Sequence, residues 1–180
     1  MGVNEKYWHM VETKYIKILF VLLLLYVSIS RYISHENWYG IEHVNLIFHE
    51  AGHAIFIFFN QFVYILGGTM FEIGIPLIVT IYFLRSRQIF AAGFGAWWTS
   101  TALQSVSIYA GDAQAQALPL LGGSSVIHDW DYLLRTMHIL QFDQIVGGLF
   151  LVLSIITLCG ACYLFYTDLL PSHRTHGQIS

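Results

Sequence analysis

Residues 144 to 167, "QIVGGLFLVLSIITLCGACYLFYT", contain no Asp, Glu, Lys or Arg. Such a run has one stable solution. It forms a helix across roughly 30 Å of hydrocarbon, because lipid offers no partner to backbone groups that a helix has not already paired. Residues 88 to 111, "QIFAAGFGAWWTSTALQSVSIYAG", are also uncharged, though richer in small and polar side chains. Only 11% of the 180 residues are charged and 56% are hydrophobic, whereas soluble domains carry about a quarter of their residues as charges. The class this implies is an all-α, polytopic, integral membrane helix bundle.

Further spans follow from the same reasoning. "ILFVLLLLYVSIS" lies between Lys17 and Arg31, whose long side chains can reach outward, and Tyr15, Tyr26 and Tyr32 suit the interface. The spacing predicts a span over 15–33, read as an uncleaved anchor because about 17 residues precede its apolar run, long for the n-region of a signal peptide. With 41–66, 70–84 (kinked at Pro76), 88–110 and 144–167, about five spans are expected in one membrane-embedded domain, with a loop and short helix over 111–143. If the spans alternate, Lys6, Lys14, Lys17 and Arg135 fall on one side and Arg31, Arg85, Arg87 and Arg174 on the other. That even split specifies no orientation, although the first cluster leans toward a cytoplasmic N-terminus. A net charge of -3 and scattered cations exclude a nucleic-acid surface.

Into this apolar chain the sequence sets "FHEAGHA", residues 48 to 54. Residues four apart on a helix lie about 40° apart around its axis, so His49 and His53 can aim at one point. Glu50 stands beside that line, placed to reach a water on a metal without ligating the metal itself. This is the chemistry of H-E-x-x-H: two zinc ligands and a general base on one helical turn. Glu42, Asn45 and Asn60 extend the histidines into a polar stripe, which must face a bundle interior or a wet cavity. Isolated buried histidines are more often hydrogen-bonded structure than ligands, but a chance match seldom falls where each polar group is costly.

A catalytic zinc site takes three protein ligands and leaves a position open. The best source of the third is "LLGGSSVIHDWDYLLRTMHIL", residues 120 to 140. His128 or Asp129 completes the set there. His128 is slightly preferred as a neutral imidazole that Asp129 could orient, while a plain helix start capped by these acids is the competing account. His138 and Asp112 rank behind them. Glu72, near the Pro76 kink, either supports the site or sits at the interface. "CGAC", Cys159 to Cys162, lies inside an apolar span and reads as close helix packing rather than redox chemistry. "AAGFGA", 91 to 96, reads the same way, and Trp97 and Trp98 read as interface belt.

The "HEAGHA" motif on an apolar helix resembles the site-2 protease type of intramembrane zinc metalloprotease, the M50-like group. The following "GGTMFEIGIPLIV" is similar to the stretch after the zinc helix in that group. The resemblance covers about 48 to 84. It implies zinc on His49 and His53, water activation by Glu50, and membrane-anchored protein substrates in the bilayer. The group's usual third ligand is an aspartate in an Asn-Pro-Asp-Gly or Leu-Asp-Gly run, and neither occurs here; nor is there a PDZ-like insertion. The competing functions are a non-proteolytic zinc-binding membrane protein (a carrier or a pseudoprotease) and a structural subunit whose histidines hold helices together.

Overall fold

A computed structural model describes residues 3–34, 39–118 and 127–170, with side chains from Glu12 onward. Every regular element among them is helical: α1 Val3–Ile33, α2 Ile41–Ile55, α3 Gln61–Arg85, α4 Ile89–Gly111, α5 Asp129–Thr136 and α6 Asp143–Leu169, the last entered through a 3-10 turn at Leu140–Phe142. Three stretches are long and apolar enough to cross a membrane, Glu12–Ile33, Gln61–Arg85 and Leu140–Leu169.

The stretch expected as one span over 41–66 is divided. After Ile55 the chain turns through Phe56–Phe59, and the Asn60 side chain accepts the Val63 amide at 3.0 Å, starting α3 at Gln61. Asn60 therefore caps α3 rather than extending the polar stripe of α2. Fifteen residues make α2 about 22 Å long, less than a bilayer core. It opens at Gly40, whose φ of 82° is easy only for glycine, and Glu42 reaches back to accept the Tyr39 amide at 2.8 Å.

Helix α4 is the centre of the bundle. Thr99, Ser100, Thr101, Gln104 and Ser107 are all buried on it, which is tolerable because α2, α3 and α6 pack against it on different sides. Ser100 and Ser154 each donate to the other's carbonyl, at 2.9 and 2.8 Å, tying α4 to α6. Tyr32 of α1 joins them at 2.7 Å from the Ser154 hydroxyl. Close approach is set by Gly147, where a methyl would stand 2.8 Å from the Ser107 carbonyl, and by Gly93, which lies under the Phe165 ring. The glycines of "AAGFGA" thus do pack closely. In "CGAC" only Ala161 is fully buried, while Cys159 is exposed and Gly160 faces open space. Trp97 and Trp98 are not belt residues. Their indoles donate to Ser28 at 2.9 Å and Asn45 at 2.8 Å inside the bundle.

Side-chain pairs fix the helix directions. Lys17 meets Asp168 at 2.7 Å and Tyr32 meets Ser154, so α1 and α6 are antiparallel. Trp97 contacts Leu24 and Ser28 while Arg31 reaches Thr101 and Ser105, so α1 runs with α4. Helix α3 opposes α4, with Thr80 beside Gly95 and Thr99 and Ile65 beside Val106. Helix α2 opposes α3, with His49 level with Glu72 and Gly52 level with Gly67. It follows that α1 and α2 point the same way. Alternating spans would have made them antiparallel. The departure has a physical source in Arg31, which is buried on α1 and pairs with Glu42 at 2.6 Å, fixing the start of α2 beside the last turn of α1.

Candidate metal centre

Helix α3 presents Tyr64, Gly68, Glu72, Pro76 and Thr80 at steps of four, one line along the helix. Helix α2 lies against the first part of that line, at Tyr64, Gly68 and Glu72. Gly52 makes this possible, since a methyl there would stand 2.2 Å from the Gly67 carbonyl oxygen. Gly68 does the same for the histidines: a methyl on it would be 2.7 Å from Nε2 of both His49 and His53. The glycine pair of "GGTMFEIGIP" is thus the space into which the two imidazoles fit.

Asp129 arrives from the start of α5. Its Oδ2 lies 2.8 Å from His49 Nε2 and 3.1 Å from His53 Nε2. The potential ligand atoms of the three residues all fall within 4.8 Å of one another. The far side of each ring is occupied too. His49 Nδ1 lies 3.1 Å from Glu72 Oε2, and His53 Nδ1 lies 3.0 Å from the Tyr64 carbonyl. An acceptor at Nδ1 places the N–H there and leaves Nε2 with a lone pair. Two imidazole lone pairs and a carboxylate oxygen then converge on one small volume. They repel one another unless a cation, either a metal or added protons, lies among them.

The donor set suits zinc. Two histidines and one carboxylate form a known catalytic combination, and ring nitrogens oriented by a carboxylate and a backbone carbonyl are the usual support for such ligands. Ligands held at about 2.0–2.1 Å around a tetrahedral ion lie about 3.3 Å apart. The spacings of 2.8 and 3.1 Å need little adjustment to reach that.

His128 does not join the cluster. Its Nδ1 accepts the Asp131 amide at 3.2 Å as the cap of α5, and Nε2 lies 3.6 Å from Asp112 Oδ2. Burial holds its pKa below the ordinary histidine value despite the neighbouring carboxylates of Asp112 and Asp129. The preference for His128 as third ligand therefore gives way to Asp129. The reason lies in chain direction: a residue spent on capping a helix points its ring back at the first turn, while the next side chain points across at α2. For Asp129 burial alone would raise the pKa, but the His49 and His53 contacts outweigh it and hold the carboxyl below its ordinary value. Asp112 accepts the amides of Ala117 and Leu118 at 2.9 and 3.0 Å, and His138 is exposed in a turn with φ 57°. The "GGSS" that would turn the chain into α5 lies outside the described residues.

Glu50 is exposed, one residue from His49. Tyr109 accepts the Asp129 amide at 3.1 Å and packs against His128 with ring centroids 4.3 Å apart and planes tilted by 39°. Nothing in the residue pattern singled out Tyr109, the Tyr64 carbonyl or the Arg31–Glu42 pair. Only Glu72, noted for its place near the Pro76 kink, hinted at the α3 contribution. Glu42 and Asn45 do not line an open path, since Arg31, Ser105 and Trp98 engage them within the bundle.

Comparison with known proteins yields no family model, curated protein or solved structure that matches this chain.

Proposed function

We propose that this chain is an intramembrane zinc-dependent metalloprotease of the M50-like, site-2 protease type, crossing the bilayer with α1, α3, α4 and α6 and carrying its site between α2, α3 and α5. The observation that carries the reading is the convergence of His49 Nε2, His53 Nε2 and Asp129 Oδ2 while Glu72 and the Tyr64 carbonyl occupy both Nδ1 atoms. Zinc held by those three residues would supply Lewis acidity toward a water and a peptide carbonyl. Glu50, exposed and free of the ligand cluster, takes the proton from the attacking water and passes it to the leaving amine. Tyr109 and the His128 cap hold Asp129 at the start of α5. Water would reach the site from the nearer end of the bundle, since Tyr109 lies two residues from the end of α4, close to Asp112. A membrane-anchored substrate must unwind locally there, because an intact helix keeps its carbonyls hydrogen-bonded.

One observation favours a second reading. The three side chains also satisfy one another if protons replace the metal, which would make the cluster a structural tie or the site of a non-proteolytic zinc protein. Metal analysis of protein purified in mild detergent separates the readings. About one zinc per chain is expected, lost in His49→Ala, His53→Ala and Asp129→Ala and kept in Glu50→Gln. Membrane fractions from cells carrying wild type or Glu50→Gln, read by mass spectrometry for new termini near membrane spans, then test hydrolysis. A zinc-free wild type favours the structural tie. Zinc-loaded protein whose termini are unaffected by Glu50→Gln leaves a zinc-binding protein without protease activity.

A further inference from the structure

From the shared direction of α1, α2 and α4 together with the placement of the cations, we infer that the His49–His53–Asp129 site opens toward the non-cytoplasmic face and takes substrate segments whose scissile bond lies in the non-cytoplasmic half of the bilayer. The substrate half of this inference rests on the protease reading; the orientation half does not. The bundle has two ends. One is formed by the start of the apolar part of α1, the α3–α4 turn and the end of α6, joined by the Lys17–Asp168 pair and by Lys17 over the Phe90 ring. The other is formed by the α2–α3 turn and the connection from α4 through α5 to α6. His49 rests against Tyr109 near the second end.

Lysines and arginines divide unequally between them. Lys14, Lys17, Arg85 and Arg87 mark the first end, and Arg135 is the one cation at the second among the described residues. Arg31 belongs to neither count, being buried against Glu42. The side chain of Lys6 and the whole of Arg174 lie outside the described residues. The even split expected from alternation disappears because α1 and α2 run the same way, which brings Arg85 and Arg87 to the side of Lys14 and Lys17. Cations close to the ends of spans are retained on the cytoplasmic side, and acidic residues contribute little to that choice. The first end is therefore cytoplasmic, and the second, with the site, is not. The short connections 86–88 and 112–142 both fall within the range over which this bias operates.

Cysteine accessibility in full-length protein tests the orientation without any need for metal or substrate. In a Cys159→Ser, Cys162→Ser background, Thr136→Cys and Ser86→Cys each place one thiol on an exposed residue at opposite ends. In bacterial spheroplasts a membrane-impermeant maleimide should label Thr136→Cys about tenfold more than Ser86→Cys, and detergent permeabilisation should equalise them. Preferential labelling of Ser86→Cys, or equal labelling of both before permeabilisation, overturns the inference. The substrate half is read from the new termini that depend on Glu50. They should map to the non-cytoplasmic halves of spans, and termini in cytoplasmic halves overturn it. Loss of zinc binding would sink the protease reading and leave the labelling result standing.

Discussion

The α4–α6 and α2–α3 pairs both bring helices together through glycine, yet they use the approach for different ends. Between α4 and α6 the polar atoms close on themselves: Ser100 and Ser154 exchange hydrogen bonds, and Gly147 meets the Ser107 carbonyl and the backbone of Gly111. Between α2 and α3 the space opened at Gly68 is filled by two imidazoles, whose Nε2 atoms lie over that glycine and meet Asp129 of α5. One pair is a joint. The other is a joint that also gathers three donor atoms at one point, which either a metal or added protons would bridge.

The sharpest way to break the comparison is Gly52→Ala. Its methyl would meet backbone, the Gly67 carbonyl at 2.2 Å, so no rotamer change relieves it and the helices must part. A loss of about 3 kcal/mol in stability is expected, together with the zinc, measured by thermal unfolding in detergent and metal content. Gly68→Ala should separate those two effects. Its methyl would meet the tips of two side chains rather than backbone, so the fold should persist while zinc affinity falls about 100-fold by competition with a chelator. Unchanged affinity would show that the space at Gly68 does not serve the histidines. Gly147→Ala should give the reverse, a loss of about 2 kcal/mol in thermal stability with zinc stoichiometry intact, since its contacts are confined to α4. Glu72→Gln can still accept from His49 Nδ1 but without charge, and about a tenfold weakening of zinc is expected in the chelator assay.

How much of this was legible beforehand depended on the range of the physics involved. His49, Glu50 and His53 were visible because four-residue spacing on one helix is a local fact. The helical class was equally visible, because lipid leaves little choice. The division of 41–66 was missed although Asn60 is a good cap, because the apolar run through Phe56–Phe59 masked the turn. The direction of α2 could not be read at all. It depends on Arg31 meeting Glu42 across residues 34–40, a pairing between two helices that hydropathy treats as flanking charges. The choice between His128 and Asp129 stayed open in the sequence, with a slight preference for His128, for a related reason. Both are good ligands by type, and only the position of the α5 cap decides which one faces α2.

That choice gives the smallest expected effect and the finest cut between joint and site. Asp129→Ala removes one of the three converging donors, whereas His128→Asn changes a neighbour that contacts none of them. Asparagine keeps an oxygen able to accept the Asp131 amide, so the cap of α5 survives and Asp129 stays in place. What disappears is the ring packed on Tyr109 and its approach to Asp112 at 3.6 Å, which leaves room that the surrounding side chains can partly refill. The expected cost is about 1 kcal/mol in thermal stability, with zinc stoichiometry at the wild-type level. Asp129→Ala should show the opposite balance, losing the metal outright and little thermal stability beyond what the metal itself contributed. Zinc lost from His128→Asn and retained in Asp129→Ala would mean that α5 turns its other side chain toward α2 when metal binds, and the cluster described here would then be its metal-free arrangement.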